Sequence, residues 1–416
     1  MTSALKRKYW EANEVSSRWK KVLFGHDKSF RNIVVRENLK SPRKISPVVD
    51  DVSRRADLAV RWLLAAQEQT PDDGVSYGYF PVSDSNGWDV SYPETTGYII
   101  TTLLEYGART TDQDIVERAV RMGQWEADIQ MSNGAVQGGK VAPKDKQSPA
   151  AFNTGMVLDG WVSILNVRSD DDIAVAAERA GDFLVTDMTD DGLFATNGLF
   201  VSADTIKIYN VLCAWAMYRL GEVLNESRFK NAAIRAVEGA LKHQLANGWF
   251  QNNCLTEKLR PLTHTIGYTA QGVLEVGIAA NRDDFIDSAQ RCLDGVLPNV
   301  HNNGYLSGRF DERWKPQRSW VCLTGSAQLA IVAYRLAGVR NNPSLETAAD
   351  RLVNFLKAVQ RIDCDIAGVN GALAGSYPVS GPYMTTGYPN WATKYFVDAL
   401  MLQADHVGAK LERHAI

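Results

Sequence analysis

Six times along this chain an apolar segment returns with a small polar pair at its start. The copies are "SYPETTGYIITTLLEYG" at Ser91, "FNTGMVLDGWVSILN" at Phe152, "SADTIKIYNVLCAWAMYRLG" at Ser202, "LTHTIGYTAQGVLEVGIAA" at Leu262, "CLTGSAQLAIVAYRLAG" at Cys322 and "MTTGYPNWATKYFVDALML" at Met384. With Thr96, Thr154, Thr205, Thr265, Thr324 and Thr386 as markers, the spacings are 58, 51, 60, 59 and 62 residues. Self-similarity at a fixed period is the signature of a chain built from one supersecondary unit, each copy burying its apolar face against the next. In the first copy Tyr98, Ile99, Ile100, Leu103, Leu104 and Tyr106 surround the predicted helix, so it has almost no polar face and reads as buried.

Each apolar helix follows a loop rich in Gly with an aromatic or Leu, as in "NGAVQGG", "DGLFATNGLF", "NGWFQNN", "NGYLSGRF" and "NGALAGSYP". Before each loop lies a helix of another kind. "RRADLAVRWLLAAQ" from Arg54 and "IVERAVRMGQWEAD" from Ile115 set charged against apolar faces at helical spacing. One buried and one amphipathic helix per repeat, six times over, close into two concentric rings. The expected fold is therefore all-α, an (α/α)6 toroid of six helical hairpins with short β-hairpin-like loops at one end. It spans residues 49–405, between a basic extension (1–48) and a short tail (406–416). Each Thr is expected to cap its helix, and each Gly to let neighbouring helices approach closely.

The 416 residues contain no run near the ~18 apolar residues of a membrane span, and the first fifteen lack the apolar core of a secretory signal. A cytoplasmic chain is the expectation. Its five scattered cysteines, with no C-x-x-C pair, read as free thiols. No metal or other cofactor is expected. Residues 1–50 carry 12 Lys and Arg against 5 Asp and Glu, with Trp10, Trp19 and Phe24 among them, a composition suited to peripheral contact with the anionic inner membrane surface. The remainder is acidic, which excludes nucleic acid as the main partner. No phosphate-binding G-x-x-x-x-G-K-[ST] occurs.

With these hairpins the chain resembles the six-hairpin glycosidase superfamily and related toroids among polysaccharide lyases and uronate epimerases. It is similar in particular to toroid proteins of bacterial polysaccharide-biosynthesis clusters, through "SYPETTGYII", "FNTGMVLDGW", "CLTGSAQLAI" and "YPNWATKYFVDALM", over roughly Val49 to Gln403. The resemblance implies an oligosaccharide or polysaccharide partner and a carbohydrate-active enzyme, foremost a hydrolase. The alternatives are a uronate lyase or C5-epimerase and a non-catalytic glycan-binding assembly protein. "HQLANGWF" also resembles the repeat of terpenoid cyclases, but the D-x-D-D acid motif and a convincing zinc-ligand set are missing.

The inner-helix starts and adjoining loops supply the candidates. Hydrolysis needs an acid and a second carboxylate. Glu94, just ahead of a buried helix, is the expected acid, and Asp89, Asp204 and Asp311 compete as its partner. His264 and Tyr268 stand one turn apart, the spacing for two groups to address one proton in lyase or epimerase chemistry. Asn153, Arg309, Gln328 and Asn390 are placed to meet a substrate carboxylate. Trp88, Tyr92, Trp249, Trp314, Trp320, Tyr388 and Trp391, with Tyr305 and Tyr383, offer aromatic faces to sugar rings. Lys394 and Asp398 read as a buried ion pair.

Overall fold

The computed structural model describes residues 28–82, 87–198 and 206–414. A first helix, α1 (Lys28–Asn38), precedes six hairpins. The outer helices are α2 (Val52–Glu68), α4 (Gln113–Ile129), α6 (Asp171–Asp187), α8 (Ser227–Leu241), α10 (Asp283–Val296) and α12 (Pro343–Val359). The inner helices are α3 (Pro93–Thr110), α5 (Ala151–Val167), α7 (Leu212–Val223), α9 (Thr263–Ala279), α11 (Leu323–Arg340) and α13 (Asn390–Val407). Thirteen of seventeen residues are buried in α5 but only six of seventeen in α6, which is the difference between a helix packed on every side and one packed on a single stripe.

Each inner helix packs on the next, and α13 returns to α3 to close the ring. Two devices in the loops repeat that closure. Gly134, Gly192, Gly248, Gly304 and Gly371 all adopt φ between +82° and +87°, and each lies against the backbone of the following outer helix. Gly371 of the sixth hairpin meets Leu58 on α2, so the last repeat docks on the first as the others dock on one another. A side chain there would meet a carbonyl as well as a strained φ. The short strand β1 (Gly78–Tyr79) pairs antiparallel with β4 (Tyr388–Pro389), joining the first and last loops, while β2 (Val321–Cys322) pairs with β3 (Ser376–Tyr377).

The Thr-Gly pairs act differently from the expected caps. Thr96 and Thr154 lie inside the first helical turn, where each hydroxyl donates back to the carbonyl four residues earlier and accepts from the incoming loop, from Val75 N and Val136 N at 2.9 Å. They tie loop to helix. The sixth marker is also displaced: Thr386 precedes α13, and Thr393 does the equivalent work by accepting from Leu373 N at 3.0 Å. Thr205 lies outside the described residues. Close approach holds at Gly97, where a Cβ would overlap Val157 of α5, and at Gly155, where it would overlap Cys213 of α7.

Helix α1 is part of the packed body. Phe30 and Val34 are buried in the core, and Glu37 pairs with Arg361 at 2.6 Å and accepts from Val379 N. The tail folds back on α2, where His414 N donates to Asp57. All five cysteines are unpaired. Among the described residues no helix is long and apolar enough to cross a membrane.

Candidate functional site

The inner helices all begin at one end of the toroid, where a cavity of about 500 Å³ opens, a size that accommodates a small ligand. Glu94 and Tyr98 come from successive turns of α3, His264 and Tyr268 from successive turns of α9, and Phe152 and Asn153 from the start of α5. A turn before α7 supplies Tyr209 and Asn210, and α13 supplies Trp391. Lys140, Asn197, Tyr77, Tyr383 and Met384 arrive from the loops. The lining rings touch one another, with Tyr268 at 4.8 Å from Phe152, His264 at 5.7 Å from Tyr383 and Tyr77 at 4.9 Å from Trp391.

Glu94 is the one carboxyl among the described lining residues. Its remaining surface faces this aromatic cavity, so burial raises its pKa to about 7, partly opposed by the Tyr92 hydroxyl donating to its Oε2 at 3.2 Å. Tyr98, Tyr209, Tyr268 and Tyr383 are all held protonated, first by burial and further by the charge of Glu94. His264 is shifted the opposite way. Burial lowers its pKa to about 4, which keeps the ring neutral, and Nδ1 is hydrogen-bonded to Gln328 Oε1 at 2.8 Å. Between pH 4 and 7 the cavity thus holds a protonated carboxyl and an unprotonated imidazole. An acid and a base coexist at one pH.

Of the residues singled out in the sequence, Glu94, His264, Tyr268, Tyr92, Asn153, Tyr383 and Trp391 meet on this cavity. The other carboxylates do not join them. Asp89 is held by Lys140 and caps its own loop at Val90 N, while Asp311 accepts from Arg313 N, Lys315 N and Gln317 Nε2 to shape a turn. Asp204 lies outside the described residues. Gln328 and Asn390 stand behind the wall, the first orienting His264, the second fully buried and donating to Ser76 O and Thr95 Oγ1. Arg309 donates to Arg260 O and faces Glu257.

Several aromatics are packing rather than lining. Trp88 sits against Trp62, and Trp249 against Trp314, whose Nε1 donates to Asn247 O. Trp320 covers Gly308, and Tyr388 is buried in its strand pair. The sequence reading passed over Tyr77, Lys140, Tyr209 and Asn210. Only the inner-helix register of "IYNV" beside "FNTG" hinted at the last two.

A second cavity of about 320 Å³ opens at the opposite end and shares Tyr98 with the first. Its charges are paired off: Asp159 with Arg219 at 2.5 Å, Glu275 with Arg335 at 2.7 Å, and Lys394 with Asp398 at 2.6 Å. Among the described residues no three His, Cys, Asp or Glu side chains cluster to hold a metal ion.

No family model and no curated protein sequence matches the chain. Solved structures do match in fold. They include an unsaturated glucuronyl hydrolase specific for heparin (TM-score 0.69, 14% identity, covering 87% of this chain and 99% of that one). The unsaturated glucuronyl hydrolase of Bacillus sp. GL1 is similar (TM-score 0.67, 15% identity, 88% and 100%), as is cellobiose 2-epimerase from Bacillus thermoamylovorans (TM-score 0.64, 7% identity, 82% and 95%). The chain shares the (α/α)6 toroid of these glycosidase-like proteins.

Proposed function

We propose that this protein is a carbohydrate-active enzyme that processes a bacterial polysaccharide or lipid-linked glycan, with Glu94 as the general acid of glycosidic-bond hydrolysis. The observation that carries the reading is the burial of Glu94, the one described lining carboxyl, in an aromatic cavity, which raises its pKa. A carboxyl with a pKa near the working pH transfers a proton most effectively, and aromatic rings stack on the C–H faces of sugars. In this reading Glu94 protonates the leaving oxygen while His264 Nε2 accepts a proton from the attacking water. The hydrogen bond between Nδ1 and Gln328 holds the ring in its orientation. The fold neighbours named above are described as glucuronyl hydrolases and an epimerase, which supports a sugar as the substrate class.

A second reading, proton abstraction from a sugar carbon by lyase or epimerase chemistry, is favoured by His264 being a neutral base beside Tyr268, with ring centroids 4.4 Å apart. Incubation with neutral and uronate oligosaccharides in deuterated water, read by mass spectrometry and ultraviolet absorbance, separates the two. Cleavage without deuterium at carbon supports hydrolysis. Deuterium at carbon or an unsaturated product transfers the chemistry to His264, and binding without product leaves a non-catalytic glycan-binding protein.

The basic extension is assigned to an anionic membrane surface, as suits a cytoplasmic enzyme acting on a glycan under synthesis. Its described part exposes Lys28, Arg36, Lys40 and Lys44 beside an exposed Leu39. Because Phe30 and Val34 belong to the core, the informative truncation removes residues 1–27 only. Co-sedimentation with phosphatidylserine vesicles should weaken in that truncation; equal binding removes the assignment.

A further inference from the structure

We propose that the sugar residue held beside Glu94 is uncharged, a hydroxyl-bearing pyranose rather than a uronate; this rests on the glycan-processing reading above. The argument is the unmet hydrogen-bonding capacity of the cavity wall. Asn210 donates its Nδ2 to Asn197 Oδ1 at 3.0 Å, which leaves Asn210 Oδ1 buried without a partner. Asn153 donates Nδ2 to Gln137 O at 3.1 Å, so its carbonyl is what it has left to offer in full. His264 engages Gln328 through Nδ1, and no protein partner is seen for its Nε2 among the described residues. Asn210 Oδ1 is thus a buried acceptor left unmet, which is costly, and Asn153 Oδ1 and His264 lie on the same wall. A sugar hydroxyl supplies an O–H to such groups while accepting from tyrosine hydroxyls, whereas a carboxylate only accepts.

The charge inventory agrees. No arginine is among the described lining residues, and the single cation, Lys140, is already paired with Asp89 and lies over the Tyr77 ring at 4.7 Å. At four of the converging helix N-termini the first amide is taken by a loop carbonyl: Ala151 N by Thr196 O, Thr263 N by Gly308 O, Leu323 N by Gly375 O and Asn390 N by Tyr77 O. A uronate entering this wall would lose its hydration beside a second carboxyl, with Lys140, already paired with Asp89, as the one cation among the described lining residues.

The test uses matched pairs, cello-, manno- and galacto-oligosaccharides and the same compounds oxidised at C6 to carboxylates, titrated calorimetrically into the full wild-type chain at pH 7. For a backbone that binds, the neutral form should bind at least about tenfold more tightly than its C6-carboxylate. Asn210→Leu should remove most of that advantage by weakening the neutral form alone, and the wild-type comparison decides the matter if this variant fails to fold. Equal or tighter binding of the carboxylate form overturns the inference. If that form is also turned over, and the turnover disappears in Glu94→Gln, the glycan-processing reading survives while the neutral-sugar inference falls. Binding of neither form overturns both.

Discussion

The two mouths of the toroid are built from the same six helices and treat polarity in opposite ways. At the C-terminal mouth Asp159, Glu275 and Asp398 each have a cation within 2.7 Å, and Asp398 also accepts from Thr102 at 2.6 Å. These pairs join neighbouring helices or successive turns of one, so the charge is consumed by the fold. At the N-terminal mouth the wall is aromatic, the one described carboxyl has a hydroxyl rather than a cation as its partner, and Asn210 Oδ1 is buried without a partner. Polar groups that satisfy one another stabilise a ring; polar groups left unsatisfied within a cavity are available to a ligand. Both mouths have volume, and they differ in charge: ion pairs fill one, while the other holds a single described carboxyl with no cation on it.

That contrast is broken or sharpened by four changes. Glu94→Gln should have the largest effect, lowering turnover by about 10²–10⁴ while glycan affinity measured by calorimetry stays within a few fold. Arg219→Met at the other mouth should do the reverse. It strands Asp159, lowering stability in urea unfolding by about 1–3 kcal/mol, discounted from a fully buried pair, with kcat/KM of the folded enzyme unchanged. The pH dependence of kcat/KM should be bell-shaped. Glu94 is raised, so its acid form is lost as pH climbs through about 7; His264 is lowered, so its base form is lost as pH falls through about 4. The smallest effect belongs to Asp89→Asn, where a half-exposed pair with Lys140 is lost and activity should change less than about threefold.

The architecture was legible because a repeat near 58 residues with alternating buried and amphipathic helices has few ways to close. Even so, one register was misread: "TTG" at Thr385 imitates the earlier pairs in sequence, whereas Thr393 receives the loop amide in space. The site was half legible. Glu94, Asn153 and His264 sit in first turns of inner helices, and hairpin geometry alone brings such positions together. Lys140 and Asn197 come from loops whose paths depend on how one hairpin leans on the next, so nothing local marks them. The tryptophans misled for a related reason. A loop aromatic at the open end serves either a ligand or the joint between hairpins, and Trp249 with Trp314 shows the second use. Asp89 and Asp311 looked like candidates from their placement, but local amides and Lys140 had already claimed them.

The most direct measurement is titration of the Glu94 carboxyl itself by infrared difference spectroscopy, with Glu94→Gln as the reference that isolates its C=O band. The account predicts a protonated carboxyl band that disappears with a midpoint near pH 7. A midpoint near 4.5, the ordinary value for a solvated glutamate, would contradict it and leave the cavity without its acid.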